Sequence, residues 1–266
     1  MRAGRGSFLG HYFRLYSMRI PLFITILVTL FFSSGCRDSA FPDPDPSGDE
    51  VFELMSGLSL GDIDEAYTRL DGFAYTTEVV VEELDVNDQV VASASRTVRR
   101  FPTADGVEET VLNADSLGLL SGRQSFEGLL RPANPLSNIL PDEPAYVRMR
   151  ARDRYAYEMR ADTTVNNQRL RVAQATLHQE SADEQPIRYA RYYLDDANTI
   201  VGAVILRLTR SALFDETSHV KVWLLPDPNG VYLPRRAESE TIIHTPGNNL
   251  MRLRLTHAVR DIVTVE

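Results

Sequence analysis

Gly57-Leu58-Ser59-Leu60-Gly61 has the G-x-S-x-G spacing of a nucleophile elbow. An elbow holds its serine hydroxyl exposed on a strained turn between a parallel strand and a helix. No strand-helix-strand pattern surrounds Ser59, so the expected structure is a turn between two helical pieces, with no hydrolytic centre. His178, His219, His244 and His257 are not spaced as H-x-x-x-H, and H-E-x-x-H does not occur. Each histidine falls in or beside a strand pattern and reads as a sheet residue, so no metal site is expected. Asp43-x-Asp45-x-Ser47-Gly48 opens like a calcium loop, but Leu54 stands where the loop requires glutamate. Neighbours in Glu82-Glu83 and Asp195-Asp196 lie on opposite strand faces or in a turn, which is poor geometry for an acid/base couple. There is no P-loop and no G-x-G-x-x-G. The expectation is a non-enzymatic chain without cofactor or catalytic residues. What remains is Cys36, the single cysteine, which excludes an intramolecular disulfide.

Cys36 stands at an informative position. Residues 1–35 carry Arg2, Arg5, Arg14 and Arg19 and no acidic residue. The 13 residues from Ile20 to Phe32 are apolar or neutral, the length of a signal-peptide core and too short to span a bilayer. Ser34-Gly35-Cys36 follows, and this resembles a bacterial lipoprotein lipobox, with Ser33 where leucine is usual. The resemblance implies cleavage before Cys36, a diacylglyceryl thioether on its sulfur and an acyl group on its amine. Several acyl chains anchor stably where one does not. Arg37 follows, not the aspartate of an inner-membrane retention signal, so the periplasmic face of the outer membrane is the expected location. Met18 is the expected start, because MRIPLFITILVTLFFSSGC has the proportions of a complete signal.

The chain has 266 residues, 43% of them hydrophobic and 24% charged, which is a globular composition. Removing residues 1–35 with their four arginines takes the formal charge from −9 to −13. So acidic a chain does not suit a nucleic-acid partner. Of its basic residues only Lys221 is lysine. Residues 36–50 hold the lipidated cysteine and a linker rich in proline, aspartate and serine. Fully extended, that linker reaches roughly 40 Å. Residues 51–266 are the expected folded domain.

Val51 to Leu70 is helical in pattern, with Phe52, Met55, Ile63, Ala66, Tyr67 and Leu70 on one side. Asp62 is the expected N-cap, with Glu65 completing a capping box, and Asp71-Gly72 ends the helix. Strands are expected at Phe73–Leu84, Gln89–Phe101, Gly106–Leu112, Arg154–Arg160, Gln168–Gln179, Ile187–Asp195, Thr199–Thr209, His219–Leu225, Val231–Ile243 and Asn249–Val259. Turn residues separate them at 85–88, 166–167, 195–196, 227–230 and 246–249. The fold class is mainly β: an incomplete antiparallel barrel of about ten strands covered by an N-terminal helix and short lid helices. In Asn249–Val259, Met251, Leu253 and Leu255 face one way and Arg252, Arg254 and Thr256 the other, so this strand has a wet face. Thr199–Leu208 and Val220–Leu225 are apolar on both faces and should be covered on both. The leucine-rich stretch 114–145 lacks strand alternation and is the expected cover. Leu119, Leu120, Phe126, Leu129, Leu130 and Ile139 are its candidate lid and cavity residues. Trp223 is expected to be mainly structural.

The helix ending Tyr67-Thr-Arg-Leu-Asp-Gly-Phe73, the strand closing on Arg99-Arg100-Phe101-Pro102, the run RYYLDDANTIVGAVIL and Asn229-Gly-Val-Tyr-Leu-Pro234 together resemble the LolA/LolB-like outer-membrane lipoprotein carriers and receptors, over roughly residues 60–266. The resemblance implies a half-barrel lined with apolar side chains that holds a lipid or the acyl chains of a lipoprotein. Phe101 separates Arg100 from Pro102, and no arginine role is carried over. A second expectation is a non-enzymatic scaffold or sensor that binds a protein. A cavity wide enough for an acyl chain separates the two.

Overall fold

In the computed structural model, residues 45–266 form one compact unit. The structure describes residues 48–118, 135–137, 139–141, 143–181, 185–245 and 249–265. Cys36 and Leu119, Leu120, Phe126, Leu129 and Leu130 lie outside the described residues.

Two short helices come first, α1 (Gly48–Ser56) and α2 (Gly61–Arg69), and a 3-10 turn at Leu70–Gly72 leads into the sheet. Helix α1 has Asp49 and Glu50 in its first turn, where the helix dipole favours negative charge, and buries Val51, Phe52 and Met55. The Gly57 N–H closes it on the Glu53 carbonyl at 3.0 Å. The G-x-S-x-G stretch is thus the turn between two helices, and Ser59 is exposed there. The expected capping box does not form. Leu60 is the N-cap of α2, already helical and without a side-chain cap bond. Starting two residues early leaves Asp62 inside the helix, and Glu65 pairs instead with Arg69 at 2.6 Å, one turn on.

Ten strands follow: β1 (Phe73–Leu84), β2 (Val90–Thr103), β3 (Gly106–Leu117), β4 (Tyr155–Val165), β5 (Gln168–Leu177), β6 (Ile187–Leu194), β7 (Ile200–Arg210), β8 (Asp215–Pro226), β9 (Tyr232–Thr245) and β10 (Asn249–Thr264). They make one open antiparallel sheet in the order β3-β2-β1-β10-β9-β8-β7-β6-β5-β4. The chain thus starts mid-sheet and runs to one edge, and the return begins at the other edge. The pairing of β1 with β10 closes the circuit, while β3 and β4 stay apart as edges. Strand β3 runs five residues beyond the expected Leu112, so the break in strand pattern begins after Leu117 and not at 114. Strand β8 begins at Asp215, four residues before the expected His219, and β10 continues to Thr264.

Local register shifts occur in six of the nine strand pairs, yet paired rows can be followed across the sheet. One row reads Tyr157, Ala175, Ala190, Ile205, Val220, Ser239, Leu255, Val81, Ala94, Ser116. Its members share one face, here called the inner face, because alternate residues of a strand point the same way. Val51 and Met55 of α1 and Ile63 and Ala66 of α2 pack onto it. Alanines at 173, 175, 190, 203 and 237 let the helices come close. The neighbouring row on the other face reads Gln174, Arg191, Val204, Lys221, Glu238, Thr256.

Candidate functional site

Of the expected lid residues only Ile139 is described. Its N–H bonds the Leu136 carbonyl at 3.0 Å, and its side chain packs on the main core. Leu136 is buried in that core. This part of the leucine-rich segment packs on the core, with Ile139 half-buried.

Side chains fill the middle of the space between the helices and the β4–β9 half of the sheet. Tyr146 and Tyr192 are both 0% exposed. Their hydroxyls meet at 2.5 Å. Tyr155 donates to the Ile187 carbonyl at 3.0 Å and Tyr157 to the Tyr146 carbonyl at 2.7 Å. Burial raises the pKa of all four phenols. They stay neutral, and the bonds satisfy groups that would otherwise be costly to bury. The cavity beside them, between Leu60, Ile63, Leu136 and Leu140, holds about 250 Å³. A more open cavity of about 750 Å³ lies between α1 and β4–β5, where Val51, Leu54, Met159 and Ala161 are joined by Glu50, Arg160, Asp162 and Arg171.

The inner face continues across β10, β1 and β2 with a different character. Val79, Val81, Ala92, Ala94 and Val98 are buried there, Leu253 and Leu255 are half-buried, and Arg96 beside Val79 and Glu83 beside Ala92 interrupt them. A polar cluster ends this apolar strip. Arg100 donates to the Tyr75 hydroxyl at 3.2 Å and pairs with Glu109. Beside it lies His257, 5% exposed, stacked 6.3 Å from Tyr67 of α2. The His257 Nε2 and the Tyr67 hydroxyl are both buried without a hydrogen-bond partner. Burial first, and the Arg100 charge second, push the His257 imidazole down to about 4. It is neutral at pH 7, so its ring can accept a hydrogen bond.

The opposite face of the sheet carries an open groove of about 1030 Å³ over β5–β9. The strands apolar on both faces are thus not covered on both. Trp223 lies in this groove, half-buried. In register, Tyr193 faces Gly202 and Gly202 faces Trp223. A Cβ on Gly202 would stand 2.6 Å from the indole, so the ring lies down on the glycine. Tyr193 meets it at 4.6 Å between centroids. Arg191 sits 5.0 Å over the Tyr189 ring. Its Nε and Nη2 donate to the Gln174 side-chain oxygen at 3.1 and 2.9 Å. Lys221 faces Glu238 at 4.0 Å. His219 and Glu240 complete the floor. None of these residues was expected as a site. The signal was present in the alternation Tyr189-Arg191-Tyr193 and His219-Lys221-Trp223, but a pattern count treats the aromatic rings as apolar.

Among the described residues no three His, Cys, Asp or Glu side chains gather to hold a metal ion. His178 follows β5, and His219, His244 and His257 lie in β8, β9 and β10. Among the described residues no helix is long and apolar enough to cross a membrane.

No family model matches the sequence, and no curated protein matches it. Three solved structures show a distant likeness. One is a DUF1329 family protein from Desulfovibrio piger, at 10% identity and TM-score 0.29, covering 83% of this chain and 93% of that one. Another is described as an outer membrane lipoprotein-sorting protein domain from Vibrio parahaemolyticus, at 8% identity and TM-score 0.29, with coverages of 82% and 93%. The third is the MucA/MucB complex of Pseudomonas aeruginosa, at 9% identity and TM-score 0.22, with coverages of 79% and 98%. The functional reading therefore rests on this chain's own residues.

Proposed function

We propose that this chain is a lipid-anchored envelope lipoprotein whose half-barrel binds a lipid or acyl chain, in lipid or lipoprotein traffic at the periplasmic face of the outer membrane. The observation that carries the reading is the inner face of β10, β1 and β2. There an apolar strip ends in the cluster of Tyr75, Arg100, Tyr67 and His257. In this reading the chain lies along Val79, Val81 and Ala94, which are buried in the structure, and the half-buried Leu255, and the polar end meets the unpaired Tyr67 and His257 groups. The lipobox at Ser34-Gly35-Cys36 supplies the anchor in this reading.

The test is binding of a fluorescent fatty acid to the detergent-purified full chain, with mass spectrometry of co-purified lipids. Val81→Asp and Ala94→Asp place a carboxylate on the strip, and binding is expected to fall by about tenfold or more, since burying an unpaired charge is costly. Circular dichroism checks the fold. A folded wild type that carries no lipid and binds no probe overturns the proposal.

A second reading, a scaffold that binds a protein, draws on β3. Every residue of that strand is exposed, Leu117 to 63%, and no described strand pairs with its outer side. An unpaired edge strand accepts a strand from a partner through its free backbone groups. Pull-down from envelope extract, lost on Thr110→Pro at that edge, favours this reading over the first.

A further inference from the structure

We propose that the groove over β5–β9, on the face away from the helices, binds a neutral oligosaccharide. This site is separate from the inner face and stands whether or not that face holds a lipid.

The aromatic residues give the first argument. Gly202 removes a side chain between two rings, so the Trp223 indole sits against the glycine and Tyr193 leans on it at an interplanar angle of 45°. The partly exposed rings of Trp223 and Tyr193 offer π surface to the C–H face of a sugar ring. Tyr189 is four residues from Tyr193 on the same strand face, roughly 13 Å away. The rings are therefore spread along the groove, as a chain of sugars requires, and not gathered into one hydrophobic point.

The polar lining gives the second. Arg188, Arg191 and Lys221 line the groove together with Glu238 and Glu240, so it holds both signs of charge. An anion would meet the carboxylates, and a cation would meet the guanidinium and ammonium groups. Hydroxyl groups both donate and accept, and so match every one of these partners. Arg191 is already held by Gln174, which is 2% exposed, and the Gln174 amide is itself held by Glu158 at 2.8 Å. Donors fixed before binding lose little entropy on binding. Burial, with Lys221 second, lowers the His219 pKa, which keeps a neutral imidazole in the floor.

Other occupants fit less well. An acyl chain would strip water from Arg191, Lys221, Glu238 and Glu240 without replacing their hydrogen bonds. An extended peptide would find no free backbone, because each strand from β5 to β9 is paired on both sides.

Trp223 is the only tryptophan of the chain and Lys221 the only lysine. The groove therefore carries its own fluorophore and its own labelling site. Full-length protein in detergent is titrated with cellohexaose, chitohexaose and maltohexaose. At least one is expected to change Trp223 emission saturably and to slow reaction of Lys221 with an amine reagent. By calorimetry, Glu240→Gln and Tyr193→Ala should each weaken binding by about tenfold, while Trp223→Phe retains part of it. Ser59→Ala, at an exposed position in the turn between the helices, should leave it unchanged. Should Trp223→Phe fail to fold, Glu240→Gln decides. No saturable response to any of the three sugars overturns the proposal. So does binding that Glu240→Gln and Tyr193→Ala leave intact, or a response to anionic vesicles or peptides in place of sugars.

Discussion

Gly202 and His257 are both buried, and each is constrained by one aromatic neighbour. At Gly202 the constraint is space. Alanine there would set its methyl 2.6 and 2.7 Å from two indole carbons of Trp223, and the ring would have to lift from the sheet. Crowding of this kind costs about 1–3 kcal/mol. Gly202→Ala is expected to lower the melting temperature and to shift Trp223 emission. An unchanged spectrum would mean that the ring is not seated on the glycine. At His257 the constraint is charge. The folded-state pKa lies near 4 against an ordinary 6.5, because burial under Tyr67 and the charge of Arg100 both oppose protonation. Between those two values the unfolded chain takes up a proton that the folded chain does not, so stability falls as pH drops. Going from pH 7 to pH 5 should remove about 2 kcal/mol through this group. His257→Leu should flatten that part of the profile in urea titrations at the two pH values. A profile as steep in the variant as in wild type would assign the loss to other groups.

The hairpins account for most of what could be read from the sequence at the level of elements. Three of them share one device. Asp85, Asp195 and Asp227 each accept two backbone N–H bonds, from the residues two and four further on, at 2.8–2.9 Å. The residue three after each aspartate has a left-handed backbone: Asp88, Asn198 and Gly230, with φ of 64°, 64° and 81°. Aspartate and asparagine favour such turns by local side-chain bonding, and glycine by lack of a Cβ, so Asp-x-x-(Asp/Asn/Gly) was legible. The helix start was not, because Asp62 and Glu65 satisfy the capping motif in composition while Leu60 had already begun the turn. The end of β3 was missed for a related reason. Asn113, Asp115 and Ser116 read as loop residues, yet an exposed edge strand tolerates them on either face. The three turns are not equal in context. Asp195 also accepts from the Tyr232 hydroxyl at 2.9 Å, which ties the β6–β7 turn to β9. Asp195→Ala is expected to cost about 1–3 kcal/mol. Asp85, without such a tie, should cost less when replaced. Equal losses in chemical denaturation would show that the tie to Tyr232 carries no stability.

On the scale of the whole molecule, one open sheet presents two faces of different chemistry, and only one of them was foreseen. Counting apolar residues predicted a two-sided core at Thr199–Leu208 and Val220–Leu225. The helices cover one side, while the other carries Trp223 and Tyr193 beside Arg191 and Lys221. A ring is apolar in a pattern count yet tolerates partial exposure when it lies flat on a sheet, which is why the groove was not legible. An open sheet also differs from a closed barrel in how it meets a membrane. Among the described residues nothing forms a spanning helix. Without residues 1–35 the formal charge is −13, which repels an anionic lipid surface. Membrane attachment should then depend on the lipid at Cys36 and hardly at all on the folded domain. Cys36→Ala is expected to move the protein from the membrane fraction to the soluble one. Metabolic labelling with a fatty acid should mark wild type only. Raising the salt concentration should not restore attachment, because screening removes repulsion without creating an anchor. If the Cys36→Ala protein stays in the membrane fraction unlabelled, the attachment lies in the folded domain, and β3 with its exposed edge is the first place to seek it.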